Sequence, residues 1–207
     1  MVRTFLAHDL LWGMTPEQLP ADAPDWAVES LRHGQPVVVR RAVTPPGHVA
    51  VGLRGRSREQ RYAASMPVAA IERRVRPEDL CHVESPRDLP ALKALSQLRP
   101  LLDASRWTWG VSGSAGFELA TGVEALHERS DLDLILRAPR FMDRLQAKDL
   151  LTQLDASVCT VDIQLQTPCG ALALREWAGS SPRVLLKDDV QARLVTDPWQ
   201  PALEQAA

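Results

Sequence analysis

The chain has 207 residues, of which 45% are hydrophobic and 24% are charged, and its formal net charge is −2. These values are typical of an ordinary globular protein and exclude collagen-like and extended disordered sequences. No window approaches the roughly eighteen consecutive apolar residues of a membrane span, so we expect no transmembrane helix.

The N-terminal residues and the cysteines indicate a cytoplasmic protein. The first residues lack the apolar core of a signal peptide. Cys81, Cys159 and Cys169 show no paired spacing, which predicts free thiols in a reducing compartment. The five histidines also lack a paired ligand spacing, so we expect no zinc site.

The first half of the chain is predicted to form an N-terminal α+β domain, residues 1–90. We expect a short helix or turn at 8–14, a loop at 15–25, a helix at 26–32, a hairpin of strands at 36–41 and 48–53, and a strand within 68–75. Residues 32–76 contain ten arginines, two glutamates and no lysine. Because a guanidinium group binds phosphate and carboxylate through a planar fork, this segment indicates an anionic partner. Nucleic acid is not the expected partner, because the whole chain is acidic and aromatic residues are sparse near these arginines.

The second half, residues 91–207, is predicted to hold a mixed sheet with helices. It is preceded by a helical segment in two pieces within 77–103. The elements then expected are a strand at 106–111, helices at 114–121 and 139–155, strands at 131–137 and 158–166, a short helix at 171–177 and a hairpin at 183–195.

Two aspartates on one of these strands indicate a metal site. Side chains at i and i+2 of a strand share a face, so Asp131 and Asp133 should project together while Leu132 and Leu134 pack into the core. Adjacent carboxylates repel each other unless a cation lies between them, and hard oxygen ligands suit Mg²⁺. An Asp-x-Asp pair also occurs on solvated strand faces, so the pair alone does not identify a metal site. The prediction depends on the elements around the pair.

Two further features belong to the same predicted site. Gly113-Ser114 opens a helix, where backbone N–H groups can approach a phosphate. Asp162 lies on the polar face of the alternating strand 158–166, and would join the pair if that strand is adjacent. Three carboxylates can hold two Mg²⁺ ions that activate a hydroxyl and stabilise leaving pyrophosphate. A lone aspartate on such a face can instead simply be hydrated.

These residues resemble a known family. Gly113-Ser114 followed by Asp131-Leu132-Asp133 is similar to the nucleotidyltransferase superfamily signature of polymerase-beta-like enzymes. Residues 8–12, 51–61 and 109–122 resemble more closely the malonate decarboxylase holo-acyl-carrier-protein synthase family, also called phosphoribosyl-dephospho-CoA transferase or MdcG. The resemblance covers nearly the whole chain.

The resemblance implies a reaction. A 2′-(5-phosphoribosyl)-3′-dephospho-CoA group passes from its triphosphate precursor to a serine of the malonate decarboxylase acyl-carrier protein, and pyrophosphate leaves. Asp131 and Asp133 would bind Mg²⁺, and Asp162 would join them and orient or deprotonate the serine. Gly113 and Ser114 would hold the β- and γ-phosphates.

Several alternatives remain open from the sequence. Arg54, Arg58 and Arg61 could bind the triphosphate or the CoA diphosphate, dock an acidic carrier protein, or form a solvated basic face. Lys187 could reach a phosphate or be a plain surface lysine. The chain could also be a nucleotidyltransferase with another hydroxyl acceptor, or a non-catalytic module that binds CoA or a carrier protein. The sequence does not predict the oligomeric state.

Overall fold

The first half of the chain builds an antiparallel sheet. The computed structural model describes residues 5–55, 57, 59–155 and 157–201. The strand order is β4-β3-β2-β1-β5. These strands are β1 (Leu10–Trp12), β2 (Val37–Val39), β3 (His48–Arg54), β4 (Arg61–Pro67) and β5 (Arg73–Val75). The predicted β2–β3 hairpin is confirmed, since these strands pair antiparallel.

The second half builds a mixed six-stranded sheet in the order β11-β10-β9-β8-β7-β6. Strands β7 and β8 are parallel, whereas the other neighbouring pairs are antiparallel. The predicted α+β class with a mixed sheet is therefore confirmed. The strands are β6 (Thr108–Val111), β7 (Leu132–Arg137), β8 (Val161–Thr167), β9 (Gly170–Ala173), β10 (Val184–Lys187) and β11 (Ala192–Val195).

Five α-helices and three short 3₁₀ helices complete the described part of the chain. The α-helices are α1 (Asp25–Arg32), α2 (Pro90–Ala104), α3 (Gly113–Thr121), α4 (Arg144–Leu154) and α5 (Leu174–Ala178). Helix α4 begins later than predicted, because the Asp143 side chain accepts a hydrogen bond from the Gln146 N–H and so caps its first turn.

Three other predicted elements need correction, and one strand was missed. Residues 10–12 form strand β1 rather than a helix or turn, because they pair with both β2 and β5 in the middle of the sheet. Strand β4 was not predicted; it is an edge strand with mostly exposed or half-buried side chains, so its hydrophobic pattern is weak. Within 68–75 only the last three residues are a strand, after a 3₁₀ turn. The helix expected at 171–177 is strand β9 followed by α5.

The two sheets have separate hydrophobic cores. One cluster contains Leu11, Val37, Val51 and Met66, and packs α1 on the first sheet. The other joins α2, α4 and α5 to the second sheet through residues such as Leu95, Leu134 and Trp177. No helix of the described residues is both long enough and apolar enough to cross a membrane.

Glu118 ties helix α3 to the loop that leads into β7. Its carboxylate, only 5% exposed, accepts hydrogen bonds from the N–H groups of Ala125 and Leu126 and from the Arg87 guanidinium, all at 2.8–2.9 Å. Burial acts to raise the Glu118 pKa, but these donors outweigh it and hold the pKa below its usual value. The loop before the Asp131–Asp133 pair is therefore fixed by one buried carboxylate.

Replacing Glu118 with alanine is expected to lower the free energy of unfolding by about 3 kcal/mol, because two N–H groups and Arg87 lose their acceptor. Chemical denaturation at pH 7 measures this. A lowered carboxyl pKa contributes stability above the unfolded-state pKa, and that stability is lost as the pH falls through the folded-state pKa. The difference between wild type and variant should therefore shrink in acid. A difference that stays constant from pH 7 to pH 3 would show that Glu118 acts only through packing.

Candidate active site

A cavity of about 570 Å³ lies between the two sheets. The first sheet contributes residues of β2, β3 and β4, and the second contributes the end of β6, the start of α3 and Asp133 of β7. Gly113, Ser114, Arg54 and Arg61, four of the predicted site residues, line it together with Asp133. A volume of this size is typical of a small-molecule site.

The three predicted carboxylates lie on or next to the first residues of the adjacent strands β7 and β8. Asp133 and Asp162 are partners in the parallel register, and Asp131 immediately precedes β7. Asp133 is half-buried, while the other two are exposed. Burial raises the pKa of the Asp133 carboxyl, and the charges of Asp162 and Asp131 raise it further. The charges of Asp162 and Asp131 therefore act on the Asp133 carboxyl.

Gly113 allows the start of α3 to approach Asp133 closely. Its φ of 61° lies in the left-handed region that favours glycine. A Cβ atom at this position would overlap the Asp133 carboxylate. The Ser112 N–H also donates to the Asp133 carbonyl oxygen at 2.9 Å. First-turn N–H groups lack partners within a helix, so α3 presents open donors beside the carboxylates.

Arg54 connects the two sheets at this point. From the end of β3, its guanidinium donates to the Ser114 hydroxyl at 2.6 Å, and it lies 6.0 Å from the centre of the Phe117 ring. Burial and the neighbouring Arg61 lower the Arg54 pKa, while Asp133 opposes this change. Two arginines of the first sheet therefore place positive charge opposite the carboxylates and next to the open end of α3.

Arg54→Ala is expected to weaken binding of inorganic tripolyphosphate at least tenfold, because a charged hydrogen bond contributes about 1.5–3 kcal/mol. Isothermal titration calorimetry measures the effect. Arg32→Ala, which removes an exposed charge on α1, is the matched control. Equal affinities in the two variants would contradict a phosphate-binding role for Arg54.

Comparisons with known proteins identify the family. The model of the phosphoribosyl-dephospho-CoA transferase MdcG N-terminal domain matches residues 6–77, and that of the C-terminal domain matches residues 79–198. The chain belongs to the MdcG family. The resemblance seen in the sequence is confirmed.

Relatives align along nearly their full length. A phosphoribosyl-dephospho-CoA transferase of Pseudomonas fluorescens strain Pf0-1 is 66% identical and covers 100% of both chains. Relatives of the same name from Azotobacter vinelandii and Pseudomonas aeruginosa are 55% and 53% identical, and cover 93% and 96% of both chains. No solved structure matches significantly, so the likeness to polymerase-beta-like enzymes stays a prediction.

His8 is a site residue of this MdcG-family chain to which sequence reasoning gave no role. It lines the cavity, has a φ of 77°, and its Nε2 lies 2.9 Å from the Gln164 side-chain oxygen on β8. Burial, with Arg41 nearby, lowers the His8 pKa to about 4, so the imidazole is neutral at pH 7. Positive φ is uncommon outside glycine and concentrates at functional sites. No local sequence pattern predicts that His8 lines the site. The one indication in the sequence was that His8 begins segment 8–12, which resembles the family.

Lys187, one of the predicted phosphate ligands, is not brought to the cavity. Lys187 is exposed on β10, and strands β9 and β8 separate it from β7. It does not line the cavity, because the late hairpin lies toward the opposite edge of the sheet. Arg58 falls outside the described residues.

The donor chemistry of the site fits Mg²⁺. Carboxylate oxygens are its preferred ligands, and the repulsion that raises the Asp133 pKa is what a cation would relieve. Among the residues that the structure describes, no three His, Cys, Asp or Glu side chains form a complete metal cluster. This arrangement is compatible with Mg²⁺, which is usually held by one or two carboxylates and by substrate phosphates.

Proposed function

We propose that this chain transfers the 2′-(5-phosphoribosyl)-3′-dephospho-CoA group from its triphosphate precursor to a serine of the malonate decarboxylase acyl-carrier protein. The family supplies the reaction class. One observation of the structure supports the chemistry best: Asp133, the register partner of Asp162, lies beside the start of α3, where Ser114 accepts a hydrogen bond from Arg54. This place would accommodate the anionic phosphates together with a cation that bridges them to the carboxylates.

In the proposed mechanism, the serine Oγ forms a bond to the α-phosphorus, the bond from that phosphorus to the β-phosphate oxygen breaks, and pyrophosphate leaves. Mg²⁺ held by one or two of the predicted ligands Asp131, Asp133 and Asp162, together with the donor phosphates, would supply Lewis-acid stabilisation of the phosphate charge. Asp162, the exposed member of the register pair, would accept the serine proton. Phosphoryl transfer requires mainly positioning and charge stabilisation from the protein.

The phosphates of the donor would be held from both sheets. The Ser114 hydroxyl and first-turn N–H groups of α3 would bind the β- and γ-phosphates. Arg54 and Arg61 would neutralise the charge of the leaving pyrophosphate from the opposite side. Their place in the cavity favours this role over docking of the carrier protein on an outer face.

The proposal includes a cytoplasmic location. All three cysteines are free, and Cys81 is buried. Burial, followed by the charges of Glu78 and Asp103, raises the Cys81 pKa to about 12, so this thiol is unreactive at neutral pH. Free thiols agree with a reducing compartment.

The direct test mixes the protein, Mg²⁺, the triphosphoribosyl precursor and apo carrier protein, and then measures the carrier mass. We expect the carrier to gain the mass of one prosthetic group and an equivalent amount of pyrophosphate to appear. A carrier whose acceptor serine is replaced by alanine, and a reaction with excess EDTA, should show no gain. An unmodified wild-type carrier would refute the proposed reaction, and full transfer in EDTA would refute the role of Mg²⁺.

A further inference from the structure

A second cavity continues from the active site. It has a volume of about 880 Å³ and extends to Gln166 and Thr167 at the end of β8. Four residues line both cavities, namely Ala7, Val39, Arg40 and Arg41. The two cavities therefore adjoin each other and are together called the groove, and the pair Arg40–Arg41 lies at the junction.

The end of strand β8 lines the second cavity of this groove through Gln166 and Thr167. Asp162, Gln164 and Gln166 share a face, because side chains alternate along a strand. At about 3.3 Å per residue, this face extends roughly 13 Å from the carboxylates to the second cavity. His8 bonds to Gln164 midway and is neutral there. The positive charge that lines both cavities comes from the two arginines.

No carboxylate of the described residues lies within ion-pair distance of Arg40 or Arg41, although both face the groove. Burial and the charge of Arg137 lower the Arg41 pKa, and Asp189 opposes this change. Gly52 makes room for Arg40, because a Cβ atom at position 52 would lie 2.9 Å from the Arg40 Cδ. Two guanidinium groups without an ion-pair partner at a cavity junction are the chemistry of an anion site.

We propose that Arg40 and Arg41 bind the diphosphate of the dephospho-CoA group, and that the second cavity holds its pantetheine arm. This inference rests on the proposed function and extends it. A cavity of about 570 Å³ accommodates a drug-sized ligand. The donor is larger, because it carries an adenosine, a diphosphate and a long arm in addition to the triphosphate, and it therefore needs more space than this cavity. The order of groups in the donor matches the order along the groove: the triphosphate at Asp133, the diphosphate at the junction and the arm beyond it.

Calorimetric titrations with dephospho-CoA, ADP and inorganic tripolyphosphate test the assignment. ADP carries the diphosphate without the arm. Arg40→Ala/Arg41→Ala should weaken dephospho-CoA and ADP binding by about tenfold or more, and leave tripolyphosphate binding unchanged. Ala42→Trp places a large side chain at an exposed position of the second cavity. It should weaken dephospho-CoA binding and spare ADP binding.

Arg32→Ala is the control for loss of charge, and a thermal melt of each variant verifies folding. The inference is overturned if the double variant binds dephospho-CoA as tightly as Arg32→Ala does, if Ala42→Trp binds it as tightly as wild type, or if wild type does not bind it. These titrations do not depend on turnover. The proposed function fails independently, when the carrier protein gains no mass although dephospho-CoA binds at the assigned residues.

Discussion

Asp133→Asn is expected to lower the rate of prosthetic-group transfer by about 10²–10³-fold and to raise the thermal stability of the protein. The loss of rate follows from removing a charge that stabilises the transition state. The gain in stability follows from the raised Asp133 pKa, because an ionised carboxylate that is half-buried beside Asp162 and Asp131 costs the folded state free energy.

The pH dependence of the thermal stability follows from the raised Asp133 pKa. A carboxyl whose folded-state pKa is raised destabilises the protein above that pKa, and the cost disappears as the pH falls below the ordinary value. Wild type and Asp133→Asn should therefore melt at similar temperatures in acid and diverge at pH 7. Mg²⁺ should raise the melting temperature of wild type but not of the variant, because a cation that binds only the folded state stabilises it.

The matched control is Asp149→Asn, at an exposed position on α4. It should change neither transfer nor the response to Mg²⁺. Wild-type transfer by Asp133→Asn would refute the catalytic role of this carboxylate. A variant that is less stable than wild type at pH 7 would instead show that the Asp133 charge supports the fold.

Gly113→Ala is expected to reduce transfer about 10²-fold and to destabilise the fold by about 2 kcal/mol. A left-handed backbone costs a non-glycine residue about 1–2 kcal/mol, and the new Cβ atom would overlap the Asp133 carboxylate. Displacing a reacting group by about 1 Å can cost two orders of magnitude in rate. Transfer assays at saturating donor and chemical denaturation measure the two effects separately.

Gly122→Ala provides a control for backbone strain. Gly122 ends α3 with a φ of 73°, and no atom lies within 4 Å of a Cβ built there. This variant should lose about 1 kcal/mol of stability and keep its activity. If both glycine variants lose transfer to the same extent, strain in α3 rather than the contact with Asp133 is responsible.

Local patterns predicted the centre of the site. Asp131, Asp133 and the Gly113-Ser114 pair lie within about twenty residues of sequence, and strand alternation decides which face carries the carboxylates. The prediction that Asp162 joins the pair depended on strand β8 lying beside β7. These strands are indeed a parallel pair. The roles assigned to these residues and the division of the chain at residue 90 remain predictions.

The rest of the site depends on how the two sheets pack, and no local pattern contains that information. His8 faces the groove through a left-handed backbone that a sequence does not reveal. The role proposed for Arg41 follows from its position between two cavities, which the sequence does not show. Strands β1, β5 and β9, each of three or four residues, are too short for a hydrophobic period to identify them.

If Arg54 and Ser114 act as proposed, the hydrogen bond between them makes activity depend on both halves of the chain. Each half contributes an incomplete set of groups, and the set is complete only at one relative orientation of the sheets. The connection around residues 76–80 joins the two halves, and its Pro77 and Leu80 line the same cavity, so substitutions there are expected to lower activity more than stability.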